Sequence, residues 1–167
     1  GAAISMPGMM DTILNLGLND ETVEGLSKKS NNSRFAWDSY RRFVQLFGKV
    51  VFGVDDKKFD EVLENAKLNQ AVQADSALNE KSLKTVVSEY KKICEKHTGV
   101  KFPSDPSEQL ELAIKAVFGS WMGERAVVYR EKNNITKDIA DGTAVNVVSM
   151  VFGNMGNDSA TGVVFTR

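Results

Sequence analysis

Disulfide and metal chemistry have little to work with in this chain. Its 167 residues include one cysteine, Cys94, and one histidine, His97. A lone cysteine excludes an internal disulfide and fits a reducing cytosol. Together the two residues make neither a zinc cluster nor a Ser-His-Asp triad with candidates to spare. Asp55, Asp56 and Asp158 lack a spacing that makes a divalent-ion site. No apolar run approaches the length of a membrane span, and the N-terminus lacks the basic and apolar regions of a secretory signal. A one-sided charge is missing as well. The 21 basic and 22 acidic residues leave a formal net charge of −1, which gives no broad attraction to nucleic acid or to an anionic membrane. With 42% hydrophobic and 26% charged residues, the chain reads as globular and cytoplasmic, sized for one domain or two small lobes.

Periodicity divides the chain into three zones. Residues 1–18 are a loop and extended segment rich in Gly, Met and Leu. Residues 19–122 read as helices. Asp20 is placed to cap a first helix over 21–29. In a second, over 34–52, Ala36, Tyr40, Phe43, Val44, Phe47, Val50 and Val51 recur at spacings of three and four and form one stripe. Phe59, Val62, Leu63 and Ala66 mark a third helix. Asn79 starts a fourth, with Leu83, Val86, Val87, Tyr90, Ile93 and Cys94 inward and Gly99 as its stop. Asp105-Pro106-Ser107-Glu108 combines a cap, a proline at the first helical position and a glutamate three residues after the cap. It opens a fifth helix expected to bury Leu110, Ala113, Ile114, Val117, Phe118 and Trp121. Residues 123–167 read as strands: 125–130, an extended stretch over 142–152, and 161–166, the last two joined as a hairpin by a turn-rich loop at 153–160. The expected fold class is α+β, mainly α, with a small antiparallel sheet. Ending directly after a strand, the chain has the look of a cut through a larger domain, and its bare strand edges would suit pairing between molecules.

Ser5-Met6-Pro7-Gly8-Met9-Met10-Asp11-Thr12 is the first candidate for chemistry. Pro7 presets one backbone angle and Gly8 supplies a conformation that other residues resist. The resulting tight turn either exposes backbone N–H groups to a phosphate beneath sulfur-bearing side chains or buries its methionines as gap fillers. The glycine-rich turn at 153–162 could form an anion-binding concavity, although it matches no phosphate-loop spacing. Arg41, Arg42 and Arg125 have the fork geometry that suits phosphate oxygens, and equally well the surface pairing usual for arginine. His97, among lysines at a helix end, suits the helix dipole better than catalysis. Cys94, on the buried stripe, reads as a small core hydrophobe.

Several segments in order resemble the N-terminal nucleotide-binding domain of the pyruvate, phosphate dikinase family. They are residues 5–18, Arg34-Phe35-Ala36-Trp37-Asp38-Ser39-Tyr40-Arg41-Arg42-Phe43, Ala116-Val117-Phe118-Gly119-Ser120-Trp121, Gly142-Thr143-Ala144-Val145-Asn146-Val147, Met150-Val151-Phe152-Gly153-Asn154-Met155-Gly156 and residues 161–167, with a diverged helical stretch over 55–105. The resemblance implies an ATP-grasp lobe carrying a helical insertion. The parent it implies is a homodimeric phosphotransferase that uses ATP, inorganic phosphate, pyruvate and Mg²⁺. Its products are AMP, pyrophosphate and phosphoenolpyruvate, with a histidine on a separate swivelling domain carrying the phosphoryl group.

Position by position, the resemblance places Met6, Gly8 and Met10 in a loop over ATP and Met150, Val151 and Phe152 along the adenine pocket. Thr161 and Gly162 fall in a turn near the phosphates. Arg42 and Arg125 fall at the phosphate-facing surface where the phosphohistidine domain docks. Val148, Ala160 and Glu124 depart from the family's usual glutamine, glycine and proline. The metal ligands, most of the charged clamp and the phosphoryl-accepting histidine match nothing here. The chain alone is therefore expected to lack catalytic residues and kinase activity and to bind ATP weakly at most. A stand-alone helical interaction module and a non-catalytic ATP sensor are the alternatives.

Overall fold

Helix α2, Ser33–Val50, runs through the centre of the computed structural model, which describes residues 4–156, 158–162 and 164. Its apolar stripe makes it central. Ala36, Tyr40, Phe43, Val44 and Phe47 are each 1% exposed or less, and positions three and four apart share one helix face. Helix α1, Thr22–Ser30, packs on one side of α2. Helix α4, Glu80–Thr98, packs on another with Leu83, Val86, Val87, Tyr90 and Cys94 inward. Helix α3, Asp56–Gln70, lies against α4, and its Phe59 ring meets Tyr90 edge-on at 4.8 Å. Burial pushes the Cys94 thiol up to about 12, so it behaves as a core hydrophobe rather than a nucleophile.

Cap chemistry sets most helix ends. Asn32, Asp55, Asn79 and Asp105 each accept a backbone N–H of the first turn, satisfying donors that have no partner within the helix. Gly99 closes α4 in the left-handed conformation at φ 76°. At α1 the expected cap is displaced by one residue. Asn19 Oδ1 accepts from the N–H groups of Glu21 and Thr22 at 2.9 and 2.7 Å, while Asp20 receives the Tyr40 hydroxyl at 3.1 Å and the Lys91 ammonium at 2.6 Å.

Helix α5, Pro106–Gly119, begins at the capping signal but does not bury the stripe expected of it. Ala113 and Gln109 are its buried residues, and Phe118 is 51% exposed. A 3₁₀ turn at Ser120–Met122 leads into helix α6, Glu124–Lys132.

The expected antiparallel sheet is overturned: no strand is present among the described residues. Arg125, placed on a strand by its neighbours Val127, Val128 and Tyr129, lies in the first turn of α6. Local contacts outweigh the β-propensity of those neighbours. Val127 N–H donates to Gly123 O at 3.0 Å. The Arg130 guanidinium lies 4.0 Å from the centre of the Trp121 ring and donates to Trp121 O at 2.6 Å, folding the helix back on the turn before it. Residues 142–152, rich in β-branched side chains, run without a ladder partner, and a strand is defined by its partner. The expected hairpin is absent from its described part; residues 163, 165 and 166 of the 161–166 strand lie outside the described residues.

Candidate functional site

The opening turn takes the form its sequence requires. Met9 N–H donates to Met6 O at 3.2 Å, with Pro7 and Gly8 between them and Gly8 at φ 74°. Proline followed by a positive-φ residue inside a four-residue bond is the type II arrangement. A Cβ on Gly8 would meet nothing within 4 Å, so glycine is needed for conformation and not for space. Gly8→Ala is accordingly expected to cost about 1 kcal/mol through the left-handed backbone alone, read as a lower urea midpoint with an unchanged denaturant slope.

From this turn the chain runs along one wall of a cavity of about 920 Å³. Met6, Gly8 and Met10 line it, followed by residues 11–18. Leu110, Ala113, Ile114 and Val117 of α5 form the floor, and residues 143–150 with Phe152 close the far side. This explains the half-buried stripe of α5: Leu110, Ile114 and Val117 face a cleft rather than a core. Phe152 is anchored by an edge-on contact with Phe35 at 5.1 Å, and Asn32 Nδ2 donates to Met155 O at 3.4 Å. The lining is mostly apolar, and Asp11 is its charged residue.

Two sequence blocks more than 130 residues apart thus meet: Met6, Gly8 and Met10 with Met150 and Phe152. Other expected site residues stand elsewhere. Val151 is 75% exposed and does not line the cavity. Thr161 and Gly162 are exposed and outside it as well. Thr161 lies so close to Gly153 that a Cβ there would sit 2.5 Å from its Oγ1. Arg125 reaches Asp11 Oδ1 at 2.9 Å, and Asp11 N–H donates to Ser120 Oγ at 3.1 Å; both bonds hold the opening loop on the α5–α6 junction. Arg42 lies on α2, where its Nε donates to Asp38 Oδ2 at 3.1 Å and its side chain is 57% exposed.

Sequence reasoning passed over two residues that shape this wall. Asn15 is in the left-handed region at φ 60° and donates Nδ2 to Ser39 O at 3.3 Å, tying the loop to α2. Its signal was its residue type, since asparagine tolerates that region best among residues with a side chain. Gln109 is fully buried in the first turn of α5. Its Oε1 accepts Gly17 N–H at 2.9 Å, and its Nε2 donates to Leu18 O and Pro103 O at 3.1 and 2.9 Å. Nothing in a polar residue after Pro106-Ser107-Glu108 announces that role.

Over residues 2–167 the sequence matches the family described as "Pyruvate phosphate dikinase, AMP/ATP-binding domain". Among curated proteins it is 61% identical to the pyruvate, phosphate dikinase of Entamoeba histolytica over 167 residues, which is 100% of this chain and 19% of that protein. It is 58% identical to the chloroplastic pyruvate, phosphate dikinase of Flaveria trinervia, covering 100% of this chain and 17% of the relative. Against the Giardia intestinalis enzyme of the same name the figures are 56%, 100% and 19%. The chain spans less than a fifth of the length of these relatives.

Proposed function

The chain belongs to the pyruvate phosphate dikinase AMP/ATP-binding domain family, and we propose that its cavity receives the adenine end of ATP. One observation carries this reading. The cavity that unites Met6, Gly8 and Met10 with Met150 and Phe152 is mostly apolar, with Asp11 as its charged lining residue. Such a lining suits the flat faces of a purine, with methionine sulfur and methyl groups against the ring. It does not suit a polyphosphate, so the phosphates are placed outward, toward the open side of the Gly8 turn.

The parent protein, on this reading, is a phosphotransferase forming AMP, pyrophosphate and phosphoenolpyruvate, with the phosphoryl group carried by a histidine on another domain of the same chain. A homodimeric, cytoplasmic parent is part of the same proposal, the single cysteine being compatible with a reducing compartment. Arg42 and Arg125 would serve the phosphate-facing side, where fixed positive charge stabilises phosphoryl transfer. The described residues do not fit a magnesium site. No group of three His, Cys, Asp or Glu side chains is placed to hold a metal ion among them, and the cavity's Asp11 is held by Arg125. No step is therefore assigned to a metal here. The family match runs through the loop, the helices and the 142–167 segment alike, which favours a nucleotide-binding piece over a stand-alone helical interaction module.

Methyl-labelled methionine spectra of this chain test the proposal. ATP and adenosine should both shift Met6, Met10 and Met150, weakly and saturably, while inorganic triphosphate should leave them in place. Shifts confined to Met122, which lies outside the cavity, or none with either nucleoside, would remove the cavity as the nucleotide site.

A further inference from the structure

Adjacent arginines on α2 have opposite environments, and one aspartate holds both. Arg41 is almost completely buried, with a side chain 4% exposed, whereas the Arg42 side chain is 57% exposed. Asp38, one turn earlier, is itself 4% exposed. Its Oδ1 accepts Nε and Nη2 of Arg41 at 2.9 and 2.8 Å, and its Oδ2 accepts Nε of Arg42 at 3.1 Å. Arg41 is completed by Gln45 Oε1 at 3.3 Å. Its Nη2 also lies 3.9 Å from Asp75 Oδ2, and Asp75 has Lys67 at 3.3 Å.

We propose that Asp38 is a positioning residue that aims the Arg42 guanidinium at a phosphate oxygen, with Arg41 as the buried counter-charge that lets it do so. The division of bonds carries the argument. A carboxylate holding only Arg42 would fix it but neutralise it. Here the carboxylate charge is met by Arg41 through two charge-assisted bonds, so the group as a whole keeps the positive charge of Arg42. Asp38 takes only the Nε of Arg42. Among the described residues no partner engages its terminal amino groups, the pair that meets phosphate bidentately. A long exposed side chain loses much rotamer entropy when it binds. Anchoring Nε to a buried acceptor removes part of that cost beforehand, as preorganised sites require.

Placement on the helix agrees. Ser39, whose carbonyl receives the cavity-lining Asn15, precedes Arg42 by three residues, and residues three apart are neighbours on a helix surface. The inference rests on the proposed phosphate-facing role of Arg42.

The test uses the full-length protein carrying this chain, assayed for steady-state AMP formation from ATP and phosphate with pyruvate present to take the phosphoryl group from the histidine. Arg42→Ala should lower kcat/KM roughly hundredfold, the loss expected when a transition-state contact is removed or misplaced. Asp38→Asn should cause most of the same loss in the wild-type background and almost none in the Arg42→Ala background. Equal losses in both backgrounds, following the folded fraction, would overturn the positioning role. Should Asp38→Asn fold poorly around its unpaired Arg41, the apolar pair Asp38→Leu with Arg41→Met decides. It removes the anchor without leaving a buried charge, so it should fold and still lose activity; wild-type activity in that variant overturns the inference. If Arg42→Ala itself is fully active, the phosphate-facing reading of Arg42 fails, and the role of Asp38 falls with it.

Discussion

Gln109→Leu is expected to destabilise the protein by about 3 kcal/mol and to free the loop at residues 15–18. The side chain is 0% exposed and joins three backbone groups, Gly17 N–H, Leu18 O and Pro103 O. Leucine fills a similar volume but leaves all three unsatisfied. Each buried group without a partner costs about 1–3 kcal/mol, and some relaxation toward the cavity returns part of that sum. Urea unfolding measures the total. Hydrogen exchange locates it: the Gly17 amide should lose protection well before the core amides of α2 do. A variant with unchanged Gly17 protection would show that the loop is held without Gln109, by its leucines and by the Asn15 bond to Ser39 O. The consequence for ligand binding is direct, because Gly17 and Leu18 line the cavity. A nucleotide seated as proposed would then have to order this wall as it binds, at a cost to affinity.

Legibility in the sequence followed the range of the interactions. Helices α1 to α5 were readable because a buried stripe and a cap are both local signals. The stripe of α2, from Ala36 to Phe47, and the caps Asn79 and Asp105 need only neighbours within a few residues. The opening turn was readable for the same reason, since Pro7-Gly8 fixes its own geometry. What failed depended on distant partners. The run Arg125-Ala126-Val127-Val128-Tyr129 has the composition of a strand, yet a strand exists only beside another strand. Without one among the described residues, helix α6 forms and is pinned by the stacking of Arg130 on Trp121. The stripe of α5 was seen, but its role was not. Leu110, Ile114 and Val117 repeat as core residues do, and periodicity alone cannot distinguish a core from a cleft wall. Asp38 was legible only as part of a family block, because a buried aspartate between two arginines has the same spacing as an exposed helix pair. The meeting of Met6 and Met10 with Met150 followed from the resemblance, since no local rule joins residues so far apart.

Gly48→Ala is expected to destabilise the protein by about 2 kcal/mol even though alanine is the better helix former. Two effects oppose each other at this site, and their sizes decide the sign. Within a helix, replacing glycine by alanine gains about 1 kcal/mol. Against that, a Cβ at Gly48 would lie 2.6 Å from Phe59 Cζ and 2.8 Å from Cys94 Sγ, well inside van der Waals contact. Neither neighbour can swing into solvent. Phe59 and Cys94 are both 0% exposed, and the Phe59 ring is held edge-on by Tyr90. Overpacking of this kind costs about 1–3 kcal/mol and sometimes more, and two simultaneous clashes put this site at or beyond the upper end. The background should reveal the cause. In Phe59→Leu, which removes the ring atom that clashes, adding Gly48→Ala should cost far less than in the wild type, and in Cys94→Ala somewhat less. Thermal or urea unfolding of the wild type, the three single variants and the two double variants measures that coupling. Strict additivity would mean that α2 and α4 shift apart to admit the methyl group, and that the close approach of Gly48 to Phe59 and Cys94 is not what holds these helices in register.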